Sequence, residues 1–337
     1  MRYTGRTAPL AESPAMTEIP TETLVTVFGG SGFLGRHVVR ALAREGYRIR
    51  PAVRRPDLAG HLQPLGRVGQ IHAVQANLRY PASVEAAVRD ADVVINLVGV
   101  LFERGKQRFE AVHAEGAHNV ARAAAGVGAR VIHVSALGAD PDAPALYART
   151  KAAGEAAVLT AAPDATIFRP SILFGPEDDF FNRFAAMARI SPALPLVGGG
   201  ETRFQPVFVG DVAQAILTAT RGGAKGGTIY ELGGPDVKSF KELMQYVLAV
   251  TERRRLLVPL PFWLARLQAS LLQFMPTPLL TPDQVELLRS DNVVSAAAIA
   301  EGRTIEALGI APAALEAIVP SYLWRFRKTG QFRGSVA

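Results

Sequence analysis

Short apolar runs and amphipathic stretches alternate along the first half of the chain. Leu24–Phe28, Ile49–Val53, Ile71–Ala76, Val93–Val98, Val131–Ser135 and Thr166–Phe168 are apolar runs of strand length, and the stretches between them carry helical periodicity. Strands alternating with helices predict βαβ units, and so an α/β fold with a doubly wound parallel sheet. After about residue 170 the alternation weakens into a region punctuated by Pro and Gly, with Gly198–Gly200, Pro206–Val209, Gly226–Leu232 and a helical stretch from Lys238 to Glu252. The pattern predicts an extended arm over 1–22, which carries Pro9, Pro14 and Pro20 and no periodicity. A sheet domain over 23–170 follows, then a smaller α/β lobe over 171–320 interleaved with the sheet, and a tail over 321–337.

One segment departs from this scheme. From Leu256 to Leu288 the chain is unusually apolar, and Phe262, Trp263, Leu267, Leu271 and Phe274 fall on roughly one helical face. The segment is too short to span a bilayer, and is expected to be covered by a partner subunit, lipid, or both.

Composition narrows the chemistry. The chain has 337 residues, of which 49% are hydrophobic and 20% charged, as in ordinary folded proteins. It has no cysteine, which excludes disulfides, a thiolate nucleophile and Cys-ligated zinc or iron–sulfur clusters, so redox chemistry has to come from a bound organic cofactor. The net charge of +7 fits an anionic partner, but the basic residues, only six of them lysine, are scattered without a long run or interleaved aromatics. A dedicated nucleic-acid surface is therefore not expected.

The sharpest motif is Val27-Phe28-Gly29-Gly30-Ser31-Gly32-Phe33-Leu34-Gly35, between a strand-like run and a helix starting near Phe33. Glycines at 29, 32 and 35 allow a tight turn and close backbone approach to a pyrophosphate, whose charge is met by the helix N-terminus. The next strand ends in Arg54-Arg55 where an acid would bind the adenosine ribose. Guanidinium there suits a 2′-phosphate, and the expected cofactor is NADPH rather than NADH. Tyr147 and Lys151 stand four residues apart in a helical stretch, so phenol and ammonium share one face. A neighbouring cation would bring the phenol nearer neutrality, as a general acid/base requires.

These pieces resemble the short-chain dehydrogenase/reductase superfamily, in its extended or atypical branch, over roughly residues 24 to 235. The matching segments are the glycine turn, Asn77-Leu78, Asn96-Leu97-Val98-Gly99, Val134-Ser135, Tyr147 with Lys151, Arg169–Pro176 and Pro206–Ala213. The resemblance implies that Gly29, Ser31, Gly32, Phe33, Leu34, Gly35, Arg54, Arg55, Asn77, Leu78, Val98, Gly99, Ser135, Tyr147, Lys151, Pro170 and Ile172 hold the nucleotide. It also implies that the segment from Arg169 closes over the nicotinamide and that Asp211 belongs to the framework.

Active members carry a Ser or Thr hydroxyl one or two positions after the residue matching Ser135. Here Ala136 and Leu137 stand there. Losing such a donor costs on the order of 10²-fold, so Tyr147 and Lys151 are expected to be vestigial as catalysts and to serve as cofactor ligands, unless Ser135 substitutes. No metal site is expected, because His37, His72, His113, His118 and His133 lack metal-ligand spacing. Glu177-Asp178-Asp179 reads as a solvated loop, and Arg253–Arg255 as a charged helix end or a contact for lipid headgroups or an acidic partner.

A narrower resemblance spans nearly residues 24 to 310, through HVSALGAD, YARTKAAGE, FRPSILFGPEDDFFNRFA, VFVGDVAQAI, VPLPFWLARL and LLTPDQVELLRSDNVV. These segments are similar to the NAD(P)H-binding accessory subunits of respiratory complex I, the NADH:ubiquinone oxidoreductase. That likeness implies a tightly held NADPH off the electron path, a structural or regulatory role, and docking on other complex I subunits near the membrane, on the cytoplasmic side of a bacterial inner membrane or the matrix side of the mitochondrial one. The bacterial side is favoured by Glu12 and Glu18 in the first twenty residues, which make a poor transit peptide. Two other classes remain open: an active NADPH-dependent reductase, epimerase or dehydratase on a small or lipid-like substrate, and a transient complex I assembly factor.

Overall fold

The first apolar run forms β1 (Leu24–Phe28), and all five of its residues are buried. A central parallel strand is covered on both faces, which is why the run is continuous rather than alternating. The computed structural model describes residues 22–275, 278–328 and 330; the arm expected over 1–22 lies outside the described residues except for Glu22. After β1 come α1 (Phe33–Arg44), β2 (Arg48–Val53), β3 (Val74–Gln75), α2 (Pro81–Val88), β4 (Val93–Asn96), α3 (Glu115–Gly126), β5 (Arg130–Val134), α4 (Leu146–Ala161) and β6 (Thr166–Pro170). The second half contributes β7 (Leu173–Phe174), α5 (Phe180–Ile190), β8 (Ala193–Val197), β9 (Arg203–Phe204), β10 (Val207–Phe208), α6 (Val209–Thr220), β11 (Ile229–Leu232), β12 (Lys238–Ser239), α7 (Phe240–Val250), β13 (Leu256–Leu260), α8 (Phe262–Leu272) and α9 (Pro282–Leu287).

Seven strands make one parallel sheet in the order β3-β2-β1-β4-β5-β6-β11. The winding direction reverses between β1 and β4, which opens a crevice at their carboxyl ends. The expected strand over Ile71–Ala76 shrinks to Val74–Gln75, with Ile71 making only an isolated bridge to Ile49. On one face of the sheet, Leu34, Val38, Val39 and Leu42 of α1 share a core with Val209, Val212 and Ile216 of α6. On the other, the small residues Ala117, Ala121 and Ala124 let α3 lie close to Phe28 and Val94. Both α6 and β11 come from beyond residue 171, so the second half returns to the sheet twice.

A separate core gathers Phe174, Phe181, Leu194, Phe204, Phe240, Leu243 and Leu323. Three two-stranded pairs, β7 with β10, β9 with β12 and β8 with β13, frame it. The expected tail from 321 does not begin there: Tyr322, Leu323 and Phe326 are buried in this core, and the Tyr322 hydroxyl donates to Asp178 Oδ2 at 2.5 Å. Asp178 also accepts the N–H groups of Gly175 and Asn182, each at 3.1 Å. The middle acid of Glu177-Asp178-Asp179 is thus a buried brace rather than part of a solvated loop, and burial raises its carboxyl pKa.

One reading of the apolar segment changes, and so does that of the arginines just before it. Trp263, Leu267, Leu271 and Phe274 are 69%, 57%, 71% and 83% exposed. Phe262 is turned inward, against Gly198 and under the Arg289 guanidinium, 4.4 Å from its ring centroid. The Arg253–Arg255 cluster is mainly internal bracing, since Arg253 donates to the Phe326 carbonyl and Arg255 to the Ala188 carbonyl, each at 2.8 Å.

Candidate dinucleotide site

The turn after β1 is built by steric necessity. Gly29 has φ of +80° and donates to the Ala52 carbonyl at 3.1 Å, and that left-handed conformation favours glycine. A Cβ on Gly35 would stand 2.2 Å from the Gly29 oxygen and 2.6 Å from the Gly30 carbonyl carbon. The first turn of α1 can therefore pack on the loop only with glycine there. No side chain caps α1 at Gly32, so its first N–H groups and the positive end of its dipole face outward, as an anion site requires.

These groups open onto a groove of about 340 Å³. Of the residues expected at the site, Gly29, Ser31, Gly32, Phe33, Leu34, Gly35, Arg54, Asn77, Leu78, Val98 and Gly99 line it. Arg55 does not: its guanidinium forks onto the Asp57 carboxylate at 2.9 and 2.6 Å in solvent. Arg54 points into the groove, where Gln107 Oε1 accepts from it at 2.8 Å. Arg79 and Gln107 also line the groove, and no motif in the sequence pointed to either.

Ser135, Tyr147, Lys151, Pro170 and Ile172 stand beyond this lining, at the carboxyl ends of β5 and β6 and on α4. Lys151 Nζ reaches the groove's end, 3.2 Å from where a Gly99 Cβ would be, and donates to the Val134 carbonyl at 3.3 Å. Burial lowers its pKa to about 8. The Tyr147 phenol moves away from neutrality: burial, and then the Asp283 carboxylate, push it up to about 12. The Tyr147 ring centroid is 6.0 Å from Lys151 Nζ, and the ring meets Phe109 and His113 edge-on at 5.8 and 5.3 Å. Burial and the acid both raise the phenol's pKa, so the expectation of a phenol poised near neutrality is reversed.

Two histidines back the site. His113 accepts the Val100 N–H on Nε2 at 3.0 Å, so its Nδ1 carries the proton and faces Thr150 Oγ1 at 3.1 Å. Asn96 Oδ1 accepts the Val98 N–H at 3.1 Å, leaving its Nδ2 to donate to His133 Nδ1 at 3.2 Å. Burial, with Lys151 next, lowers both histidines to about 3 and keeps them neutral. His133 Nε2 and Ser135 Oγ are buried and find no partner among the described residues. Ala136 and Leu137 supply no hydroxyl, and Leu137 is buried. Arg169 is held by Glu155 at 2.8 and 2.6 Å, with Glu231 at 3.7 Å, which fixes the start of the segment carrying Pro170 and Ile172. Asp211 accepts the Ala313 N–H at 2.7 Å. Among the described residues, no group of three His, Cys, Asp or Glu is gathered as a metal site would need.

A glycine turn at the switch point of a seven-stranded parallel sheet, with an uncapped helix end and a groove beside it, defines a dinucleotide-binding α/β protein. The chain belongs to the NAD dependent epimerase/dehydratase family, whose model matches residues 25–233, and the cofactor class of that family is a nicotinamide dinucleotide. Within it, the chain falls with subunits of respiratory complex I. It is 38% identical over 325 residues to the mitochondrial NADH dehydrogenase [ubiquinone] 1 alpha subcomplex subunit 9 of Arabidopsis thaliana, covering 93% of this chain and 80% of that protein. It is 32% identical over 309 residues to the mitochondrial NADH-ubiquinone oxidoreductase 40 kDa subunit of Neurospora crassa, covering 91% and 80%. Among solved structures, the UDP-glucose 4-epimerase of Thermus thermophilus in complex with NAD shares the fold, with a TM-score of 0.66 at 20% identity over 91% of this chain and 99% of that one.

Proposed function

We propose that the chain is an accessory subunit of respiratory NADH:quinone oxidoreductase, complex I, that holds NADPH off the electron path. The observation that carries this reading is identity of 32 to 38% to complex I subunits over more than nine-tenths of the chain. In this reading the uncapped end of α1, with Gly29 and Ser31–Gly35, takes the pyrophosphate. Arg54, with Arg79 beside it, takes the 2′-phosphate, and Asn77 and Leu78 border the adenine. Val98, Gly99, Ser135, Tyr147, Lys151, Pro170 and Ile172 border the nicotinamide half, and the buried unpartnered Ser135 Oγ is a polar group free to receive it. When bound, NADPH supplies a transferable hydride.

The chain's own residues favour holding over turnover. With Ala136 and Leu137 in place of a hydroxyl, nothing on that turn polarises a carbonyl, and a phenol raised to about 12 is a weaker proton donor than an ordinary tyrosine. The domain division proposed is the sheet domain from 23 to 170 with a smaller lobe that lends α6 and β11 back to it.

The other complex I subunits are the partners in this reading, and the exposed stripe on α8 is the surface they or lipid cover. Among the described residues no helix is long and apolar enough to cross a membrane, which suits a peripheral position on the matrix side, as for the mitochondrial relatives, or on the cytoplasmic side of a bacterial inner membrane. The fate of the nucleotide during turnover tests the holding role. In purified complex, the bound NADPH should stay reduced through many cycles of NADH-driven quinone reduction, and Tyr147→Phe should leave that rate within about twofold. Stoichiometric oxidation of the bound nucleotide would favour the reductase reading instead.

A further inference from the structure

The helix that carries Tyr147 and Lys151 is not capped by its own sequence. Its N-cap is Ala145, which has no side-chain acceptor. The missing acceptor comes from far along the chain: Asp283 Oδ1 takes the Leu146 N–H at 2.7 Å and Oδ2 takes the Tyr147 N–H at 3.0 Å. Both oxygens are spent on the first turn of α4.

Asp283 is itself placed by a local device. It follows Pro282 in the first turn of α9, whose start is fixed by a capping box in which Thr281 and Gln284 each bond the other's backbone N–H. One carboxylate, carried in the first turn of α9, thus stands at the N-terminal end of α4, where the partial positive charge of that helix meets it. Next to it, Gln284 Nε2 donates to the Leu101 carbonyl at 3.3 Å, two residues past Gly99 at the groove's end. α9 therefore holds both the first turn of α4 and the segment that follows Gly99. Behind it, Val285 packs with Ala265 and Ala269 of α8, the helix that presents the exposed apolar stripe. A second cavity, of about 510 Å³, lies between these elements and is lined by Asp283, Leu146, Phe109 and Arg266 among others.

We propose that Asp283 is a positioning residue for the nicotinamide end of the nucleotide. It fixes the first turn of α4, and through it Tyr147 and Lys151, so that the α8–α9 unit and the bound nucleotide stabilise each other. The coupling is reciprocal: whatever orders α9 tightens nucleotide binding by the same factor that the nucleotide orders α9. The inference rests on the dinucleotide reading of the groove and adds a residue to it that lies in the other lobe.

The test measures two probes on the full-length protein: NADPH, and adenosine 2′,5′-bisphosphate, which lacks the nicotinamide half. Asp283→Ala should weaken NADPH about tenfold, the usual scale for losing a helix cap that also meets the dipole. It should leave the bisphosphate within twofold. Asp283→Asn, whose amide oxygen accepts one of the two N–H groups, should recover about half of that loss and stay about threefold weaker than the unmodified chain. Amide exchange at Leu146 and Tyr147 should quicken in the alanine variant, and NADPH should slow exchange in α9 of the unmodified chain.

An unmodified chain that binds neither probe would sink the dinucleotide reading itself. If it binds both, and Asp283→Ala keeps NADPH within twofold, the positioning role alone is overturned. Equal loss of both probes overturns it too, because that marks general loosening. Should the alanine variant fail to fold, the asparagine variant carries the test: a threefold loss confined to NADPH supports the role, and unchanged NADPH binding ends it.

Discussion

Replacing Gly32 with aspartate is expected to empty the nucleotide groove and leave the fold standing. Gly32 is the N-cap of α1, with φ of −76° and ψ of −178°, an extended conformation open to any residue. A Cβ there would stand 3.3 Å from the Gly29 oxygen, close but not prohibitive. Aspartate is also among the best N-caps, so the helix should gain from it. What it gains is an anion of its own, on the N–H groups that a pyrophosphate would need. Two like charges about 4 Å apart at an effective dielectric of about 20 repel by about 4 kcal/mol, a loss of roughly a thousandfold in affinity. Gly32→Asn separates charge from bulk and should lose far less. Gly35→Ala fails differently, because its Cβ would meet backbone atoms at 2.2 and 2.6 Å, so the melting temperature should fall along with nucleotide binding. Isothermal titration with NADPH beside thermal unfolding distinguishes these cases. Undiminished binding by Gly32→Asp would remove the helix end from the site.

The second large effect is expected at the α8 stripe. Trp263 and Leu271 are 69% and 71% exposed, and a contiguous apolar face of this kind on a free surface marks a place where something docks. Covering the two side chains is worth about 1.5 to 3 kcal/mol each, so replacing both with serine should release the chain from the membrane complex. NADPH should remain bound and the melting temperature nearly constant, since neither side chain is in a core. Phe262 makes the opposite control. Packed on Gly198 under Arg289, it should destabilise the lobe when changed to serine. Full comigration of the Trp263→Ser, Leu271→Ser protein with the complex would show that the interface lies elsewhere.

What the sequence made legible follows from how local each constraint is. The glycine spacing could be read because the packing of α1 on its own loop forces Gly35, a contact only six residues long. The choice between Arg54 and Arg55 could not, because both lie just past the end of β2 at Val53, and only the folded chain shows Arg54 lining the groove and Arg55 drawn onto Asp57. The helical pattern identified the α8 face but put Phe262 on it, one position too many, since its inward turn depends on space that Gly198 leaves in another segment. Tyr322, Leu323 and Phe326 read as a tail because nothing local shows the aromatic core they complete. The Tyr147 phenol was misjudged for a related reason: the spacing to Lys151 is local, while the burial that raises the phenol and the acid that adds to it depend on residues far along the chain, Asp283 among them. Asp283 had no sequence signal at all as a cap for α4, since its partners lie 136 and 137 positions away.

The most direct measurement of the central claim is the nucleotide content of complex I isolated through this chain. The complex should carry the chain at a constant ratio to its other subunits through successive purification steps, and on denaturation should release NADP(H), with little NAD(H), in an amount equal to the chain. A chain that purifies away from the complex would contradict the subunit reading, and release of NAD(H) in place of NADP(H) would contradict the assignment of Arg54 to a 2′-phosphate.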